Sequence, residues 1–226
     1  SETLTVVGGG LVGSLLALYL AQHGHQVEVF ERRPDLRKGG LVEGRSINLA
    51  LSDRGWRALE GVGIAAPVHE VAIAMYRRVM HSPQGQLTFQ PYGQQGQAIY
   101  SVSRAGLNRR MLDLVEQEPR VQVYFNQQCQ RVDLRRRTLD MLDADTGHTT
   151  TRSYQRLFGV DGAYSAVRGA LQKTDRFNFS QHYLNYGYKE LTIAAAPGGE
   201  WAIEKNALHI WPRGQYMMIA LPNLDG

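Results

Sequence analysis

Apolar residues near the start of the chain follow two different spacings. Residues 4–7 form a short apolar run, residues 11–22 carry apolar side chains at helical spacing, and residues 26–30 form a second short run. A strand, a helix and a strand within about thirty residues predict a βαβ unit. Because such crossovers join parallel strands, the pattern predicts a parallel sheet at the beginning of an α/β fold.

Further along, helical and strand-like spacing alternate. Residues 103–118 predict an amphipathic helix with Ser103 as its N-cap. The other predictions are a helix over 54–62, strand segments within 71–90 and at 121–125, a hairpin within 130–158, a strand at 157–160, and late strands at 187–194, 207–212 and 215–221. The late strands predict an antiparallel sheet, so a parallel-sheet domain is interrupted and then followed by parts of another domain.

Composition narrows the class of protein. With 226 residues, of which 43% are hydrophobic and 20% charged, the chain can bury a substantial core. Lys and Arg number 25 against 21 Asp and Glu. The basic cluster of Arg135, Arg136 and Arg137 is interpreted as a solvated hairpin edge, because no reading helix or aromatic platform accompanies it. No nucleic-acid partner is therefore expected, and the oligomeric state stays open.

The expected location follows from cysteine usage and hydropathy. The single Cys129 excludes an internal disulfide and fits a reducing compartment. No apolar run reaches the roughly 18 residues of a membrane span, and the first strand begins too early to leave room for a leader. We expect a cytoplasmic protein. A turn without a returning strand follows the last strand, which suggests part of a longer chain.

A glycine pattern stands between the first strand and the first helix. Gly8 permits a tight turn, Gly10 lets the backbone approach a pyrophosphate, and Gly13 lets helix and strand pack closely. The second strand ends at Glu31, about twenty residues further on, where an acidic residue accepts hydrogen bonds from ribose hydroxyls. Such a residue disfavours a 2′-phosphate, so the pattern predicts a site for FAD or NAD.

The stretch GVDGAYSAVR at 159–168 resembles the Asp-Gly signature of the single-component flavin-dependent aromatic hydroxylases. In that family the signature helps to hold FAD, so the resemblance favours FAD over NAD and implies a contact from Asp161. It also implies a Rossmann-like FAD-binding domain over 1–72 and 99–176, with an incomplete antiparallel substrate domain over 73–98 and 177–226.

The resemblance runs from end to end and is strongest to the branch of the family that acts on L-kynurenine. It rests on FERRP at 30–34, GRSINLALSDRG at 44–55, QPYG at 90–93, YSVSRAGLNR at 100–109, GYKEL at 187–191 and NALHIWPRGQYMMIALPNLDG at 206–226. The second stretch would cross the flavin, with Arg45, Ser46 and Asn48 beside the cofactor and Leu49 beneath its rings. Arg32 and Arg104 would also contact FAD.

The same resemblance assigns the substrate site. Arg78 would pair with the amino-acid carboxylate and Tyr92 would hydrogen-bond it. The neighbouring Arg77 competes for the role, since adjacent strand residues face opposite sides and periodicity does not say which points inward. The apolar wall around the substrate ring would comprise Ile99, Leu208, Met217 and Leu221.

The resemblance also implies the reaction, which belongs to tryptophan degradation and NAD biosynthesis. NADPH, bound transiently, would reduce FAD, and O₂ would form a flavin C4a-hydroperoxide that hydroxylates L-kynurenine to 3-hydroxykynurenine. No side-chain catalyst or metal is implied, because the cofactor carries the chemistry. Two alternatives stay open: a related hydroxylase for another aromatic acid, and a non-catalytic FAD-binding fragment.

Overall fold

Strands carry most of the regular structure in the computed structural model, which describes residues 2–38 and 47–226. In chain order the elements are β1 (Thr3–Val7), α1 (Leu11–Gln22), β2 (Gln26–Phe30), β3 (Asn48–Leu51), α2 (Asp53–Glu60), α3 (Ala65–His69), β4 (Ala72–Met75), β5 (Arg77–His81), β6 (Leu87–Pro91), β7 (Ile99–Ser103), α4 (Arg104–Glu116), β8 (Val121–Tyr124), β9 (Gln127–Asp133), β10 (Thr138–Asp143), β11 (Thr149–Ser153), β12 (Arg156–Gly159), α5 (Ala166–Leu171), β13 (Ala207–Arg213) and β14 (Tyr216–Ala220). Within the described ranges, no helix combines the length and the apolar character needed to cross a bilayer.

The predicted βαβ unit is confirmed. β1 pairs in parallel with β2, with Val7 opposite Phe30, and the parallel sheet has the strand order β12-β1-β2-β8. Apart from their first residues, both strands are buried or half-buried on both faces, as expected of a parallel sheet with cover on both sides. The carboxyl end of β1 therefore meets the start of α1 next to the end of β2.

The chain divides into two compact units. The first comprises residues 1–44 and 108–187, and the second comprises 45–107 and 188–226. The parallel sheet and an antiparallel meander, β11-β10-β9, belong to the first unit, whereas the sheets β14-β13-β5-β6 and β3-β7-β4 belong to the second. The predicted α/β class with additional antiparallel sheets is thereby confirmed. The four domain segments expected from the sequence have other limits and stay predictions.

The core of the first unit joins the parallel sheet to the meander. Its buried cluster includes Phe30 from β2, Met141 from β10 and Val167 from α5. A charged network lies at the edge of the same unit, where the guanidinium of Arg37 makes paired hydrogen bonds of 2.7 and 2.8 Å to Glu116 in α4. Arg37 also binds Asp35, and this hydrogen bonding lowers the pKa of the Asp35 carboxyl.

The second unit differs from the prediction in how its strands are divided. Residues 72–81 form two strands, because the chain leaves the β3-β7-β4 sheet at Tyr76 and enters the other sheet as β5. There β5 pairs antiparallel with β6 but parallel with β13, so this sheet is mixed. The helix α3 was not predicted, since it is five residues long and contains Pro67 in its first turn.

The strand predicted at 187–194 is wrong. These residues carry no regular structure, and Tyr188 and Leu191 are 81% and 69% exposed. Their alternating pattern favoured a strand, but a strand also needs a neighbour for its backbone hydrogen bonds. Within the described ranges, no strand pairs with this segment.

Candidate cofactor and substrate sites

The turn after β1 requires glycine at its first position. Gly8 has φ +111°, and its N–H donates to the Phe30 carbonyl at 2.8 Å. A Cβ at Gly8 would lie 2.5 Å from the carbonyl oxygen of Val160 and 2.9 Å from the Cα of Asp161. The backbone after β1 and the backbone after β12 are therefore in contact, and any side chain would separate them.

The other two glycines play different parts. A Cβ at Gly13, in the first turn of α1, would overlap the carbonyl oxygen of Gly8, so this glycine sets the distance between helix and turn. Gly10 is the N-cap of α1 and makes no side-chain capping bond. A Cβ there would meet no protein atom within 4 Å. Gly10 thus leaves open space at the start of α1, as the close approach of a pyrophosphate to the helix amides requires.

Glu31 is oriented by backbone amides. Its Oε2 accepts from the Gly9 N–H at 2.8 Å and its Oε1 accepts from the Arg33 N–H at 3.0 Å, while the side chain is only 15% exposed. A carboxylate has about four acceptor positions, so two remain for hydroxyl donors such as those of a ribose. Arg32, also predicted to contact FAD, is exposed.

The loop of the Asp-Gly signature is stabilised by hydrogen bonds from its own side chains. Asp161 accepts from the Ser165 hydroxyl at 2.5 Å and from the Ala166 N–H at 2.7 Å, and Ser165 caps α5 by accepting from the Arg168 N–H at 2.9 Å. The Arg168 guanidinium donates to two carbonyls of the same loop, those of Gly162 and Ala163. These hydrogen bonds stabilise the loop whose backbone contacts Gly8. Asp161 therefore supports the glycine turn indirectly, through its own loop.

The segment that opens with Arg45 is described only in part. Arg45 and Ser46 lie outside the described residues. Asn48 lies in β3 and donates both amide hydrogens, to the Ser101 hydroxyl and to the Pro222 carbonyl, each at 2.9 Å. The Asn48 side chain, which was expected beside the cofactor, therefore ties β3 to β7 and to the turn after β14.

Leu49 and Arg104, the other predicted cofactor residues of the second unit, lie close to Asn48 along the backbone of β3 and its neighbours. Leu49 is half-buried in β3 opposite Val102 of β7. Arg104 is exposed at the start of α4, and its N–H donates to the Ile47 carbonyl at 3.2 Å. The predicted cap of α4 is confirmed, since the Ser103 hydroxyl accepts from the Gly106 N–H at 3.2 Å.

Two neighbouring arginines of β5 differ in their contacts. Arg77 makes two hydrogen bonds, of 2.8 and 2.9 Å, to the carboxylate of Glu204, and stacks on Phe89. Arg78 points to the opposite face of the strand, where its guanidinium carbon lies 4.5 Å from the ring centre of Tyr92. Within the described part of the chain, no carboxylate pairs with Arg78. Among the described residues, only Arg78 of the two candidates has no hydrogen-bonding partner and can offer all its donors to a ligand.

The predicted apolar wall divides between two sheets. Leu208 is opposite Arg78 in the β5–β13 register, and Met217 is opposite Pro212 in the β13–β14 register, so alternation places these side chains on the face that carries Arg78. Met217 is 64% exposed there. Leu221 follows the end of β14 and is half-buried, whereas Ile99 is buried in β7 of the other sheet of the unit.

One polar contact of this sheet has no counterpart in the sequence prediction. His81 of β5 and His209 of β13 form a hydrogen bond of 2.9 Å on the face opposite Arg78. They are 128 positions apart, and only the parallel register of β5 and β13 brings them together. Burial, followed by the charges of His209 and Arg213, lowers the pKa of His81.

Comparison with known proteins gives a family match and close relatives. The family described as FAD binding domain matches residues 1–216. A kynurenine 3-monooxygenase of Flavobacterium psychrophilum is 51% identical over 226 residues, which is all of this chain and 50% of the relative. The enzymes of the same name from Myxococcus xanthus and Anopheles gambiae are 48% and 47% identical, over 49% and 46% of their own lengths. The chain thus spans about half the length of the curated relatives it matches.

Solved structures support the fold. A flavin-dependent monooxygenase, PieE, in complex with FAD and substrate, matches with a TM-score of 0.64 at 22% identity, over 76% of this chain and 32% of that one. The p-nitrophenol 4-monooxygenase PnpA of Pseudomonas putida matches with a TM-score of 0.63 at 21% identity, over 76% of this chain and 44% of that one. At such identities the likeness concerns the fold alone.

Proposed function

Because this chain belongs to the family of FAD binding domains, matched over residues 1–216, we propose that it holds FAD in an NADPH- and O₂-dependent monooxygenase that hydroxylates L-kynurenine. Relatives at 43–51% identity over nearly the whole chain, all named kynurenine 3-monooxygenase, support that substrate. The activity is proposed for the protein in its longest natural form, since the chain spans about half of those relatives.

The first unit supplies the binding site for the dinucleotide part of FAD in this proposal. Gly10 presents backbone amides at the start of α1 to the pyrophosphate, and the carboxylate of Glu31, held by two backbone amides, accepts from the adenosine ribose. Gly8 and Gly13 keep the turn, the helix and the Asp161 loop in contact. Arg32 and Asp161 remain proposed contacts, as do Arg45, Leu49 and Arg104 from the second unit.

A single observation carries the proposal for the substrate. The guanidinium of Arg78 stacks on Tyr92 and pairs with no carboxylate of the described residues, while its neighbour Arg77 is paired with Glu204. A planar guanidinium without a partner suits the carboxylate of an amino acid, and a tyrosine hydroxyl adds one directed donor. Leu208 and Met217 share that sheet face and give it the apolar character that an aromatic ring requires.

The remaining roles follow from this division. When bound and reduced, the flavin supplies the oxygen chemistry, so no side chain needs to act as a nucleophile or acid. The chain's own residues bind and orient. Arg78 and Tyr92 fix the carboxylate end of the substrate, and the apolar wall, including Ile99 and Leu221, excludes water from the ring.

The activity is tested by anaerobic reduction of the flavin by NADPH, using the longest natural form of the protein. We expect L-kynurenine to accelerate the reduction strongly, since a hydroxylase that is reduced without substrate wastes NADPH and O₂. Anthranilate and salicylate serve as controls. Acceleration by one of these in place of kynurenine would contradict the proposed substrate, and the absence of bound flavin would contradict the proposal altogether.

The carboxylate site is tested by the two neighbouring arginines. Arg78→Ala should weaken L-kynurenine binding by about 2 kcal/mol, close to thirtyfold in Kd, because a desolvated charge loses its partner. Arg77→Ala is the matched control, from which we expect a smaller change, as its partner is Glu204. The measurement is substrate titration at equal FAD content. Equal weakening by both variants would contradict the assignment of Arg78.

A further inference from the structure

Two histidines of the mixed sheet form a chain of hydrogen bonds on the face opposite Arg78. Nε2 of His81 lies 2.9 Å from Nδ1 of His209, and Nε2 of His209 lies 2.9 Å from the backbone carbonyl of Glu204. His209 is 3% exposed. His81 also stacks on Trp211, with ring centres 4.1 Å apart. The pair thus links β5, β13 and the segment before β13.

The carbonyl determines where the protons are. A carbonyl oxygen only accepts, so Nε2 of His209 carries a proton. In a neutral His209, Nδ1 is then an acceptor, and Nε2 of His81 must donate to it. The hydrogen bond therefore has one direction, from Nε2 of His81 to Nδ1 of His209.

The charged groups around the pair come from each neighbouring element. β5 contributes Arg77, whose charge is matched by Glu204. β13 contributes Arg213, which donates to the His81 carbonyl at 2.9 Å. In the β13–β14 and β5–β6 registers, only Tyr216 is titratable among the opposing residues on this face, which are Ala220, Met218, Tyr216, Leu87, Phe89 and Pro91. No carboxylate of these described strands compensates a charge on the pair.

The position of the pair relates it to Arg78. Arg78 lies between Arg77 and Val79 on β5, so its direction depends on the register of β5 against β13. The Arg77–Glu204 contact lies at the start of β5 and the His81–His209 contact at its end. These two side-chain contacts lie on one face of the sheet and hold both ends of β5. Arg78 projects from the other face of the same strand.

We propose that His81 and His209 are positioning residues for the substrate carboxylate site, holding β5 on β13 so that Arg78 keeps its place beside Tyr92. The part of this inference that concerns substrate rests on the proposed function. The hydrogen bond between the two histidine rings does not rest on it. The bond and the role in substrate binding can therefore be disproved separately.

The bond is tested by ¹⁵N NMR of the histidine rings near neutral pH. We expect a scalar coupling across the hydrogen bond between Nε2 of His81 and Nδ1 of His209, with Nε2 of His209 protonated. Absence of the coupling would overturn the inference whatever the substrate is.

The positioning role is tested with two substitutions at one position. His81→Gln keeps an N–H donor near Nε2, whereas His81→Leu removes it. We expect L-kynurenine to bind to the Gln variant within about twofold of the parent and to the Leu variant about tenfold more weakly, with a raised KM and little change in kcat. His148→Leu, at an exposed position in the meander, is the control.

The outcomes separate the two proposals. Equal affinity in both His81 variants and the parent, measured at equal FAD content, overturns the positioning role and leaves the proposed function intact. Failure of the Gln variant to restore affinity lost in the Leu variant also overturns it. Failure of the parent to bind L-kynurenine overturns the proposed function together with the positioning role, while the NMR coupling still decides whether the histidine bond exists.

Discussion

The glycine turn of the first unit and the arginine face of the second unit are built in opposite ways. The turn is built from residues close in sequence, Gly8 to Gly13, although the backbone that leaves no room for a side chain at Gly8 belongs to Val160 and Asp161. The arginine face is assembled from strands far apart in the chain, since Arg78 of β5 is opposite Leu208 of β13. A short motif can therefore specify the first, whereas only strand register specifies the second.

This difference affects how each region responds to substitution. In the turn, the space for a side chain decides the effect, because neighbouring backbone atoms cannot move without moving β1 or β12. On the sheet face, the effect of a substitution depends on which hydrogen-bond partners are lost. The predictions below use pairs of similar residues to separate these causes.

The largest effect is expected from Gly8→Ala. The added methyl group meets the Val160 carbonyl at 2.5 Å and the backbone has φ +111°, so strain and overlap together should cost about 3 kcal/mol or more. Gly24→Ala is the control, with φ +87° but no atom within 4 Å of the new Cβ. It should cost about 1 kcal/mol. Equal losses in denaturant unfolding would show that backbone conformation, not close contact, fixes the turn.

Gly10→Ala should separate stability from cofactor binding in the same turn. Its Cβ meets no protein atom, so the free energy of unfolding without flavin should fall only by the cost of alanine at an N-cap, about 1 kcal/mol or less. The methyl group would occupy the approach to the pyrophosphate, so FAD affinity should fall by at least about tenfold, roughly 1.4 kcal/mol. Flavin titration of the apoprotein measures this. Unchanged FAD affinity would contradict the proposed position of the pyrophosphate next to Gly10.

Ser101→Ala tests a long-range tie of the second unit. The buried Ser101 hydroxyl donates to the Pro222 carbonyl at 2.8 Å and accepts from Asn48, so its removal should cost about 1 kcal/mol or slightly more. Ser52→Ala is the control, because the exposed Ser52 hydroxyl makes no capping bond to α2. If both lower Tm equally, the tie between β3, β7 and the last turn contributes nothing specific.

Near neutral pH the smallest effect concerns Cys129, because its contribution changes only above pH 9. Burial, followed by the charges of Asp161 and Asp140, raises the thiol pKa to about 11 from 9.0. The unfolded chain therefore loses its thiol proton first, so stability should fall as the pH rises from 9 towards 11. At pH 8, alkylation by iodoacetamide should be slow in the folded chain and fast in denaturant. Rapid alkylation of folded protein would contradict the burial of this residue.

The sequence predicted the elements that are determined locally. The first strand, helix and strand, the capped helix α4, and the glycine turn all follow from short-range periodicity and capping, and the structure places them within a few residues of the prediction. Short-range patterns gave wrong or incomplete predictions where the structure depends on the pairing of strands. The segment 187–194 alternates like a strand but pairs with no strand of the described ranges, 2–38 and 47–226. The chain changes sheets at Tyr76 without any sequence signal.

The same limit applies to the candidate sites. Periodicity left Arg77 and Arg78 equivalent, and the distinction depends on Glu204, a residue far along the chain. The His81–His209 bond was invisible for the same reason, since two separated histidines in apolar strands have no common motif. The family resemblance of its segment placed Asn48 beside the cofactor, and in the structure its amide binds Ser101 and Pro222. Partners of polar side chains were the information that the sequence lacked.

The parallel pairing of β5 with β13 also constrains how the protein forms during synthesis. Contacts such as His81 to His209 span 128 positions, so at about 5–20 residues per second β5 emerges from the ribosome roughly 6–26 s before its partner. During that interval the β5–β6 hairpin exposes an unpaired strand edge, with Leu87 and Phe89 on the hairpin surface, a template for pairing with other chains. Slow translation or limited chaperone supply should therefore reduce the yield of this protein more than that of a protein whose sheets close locally.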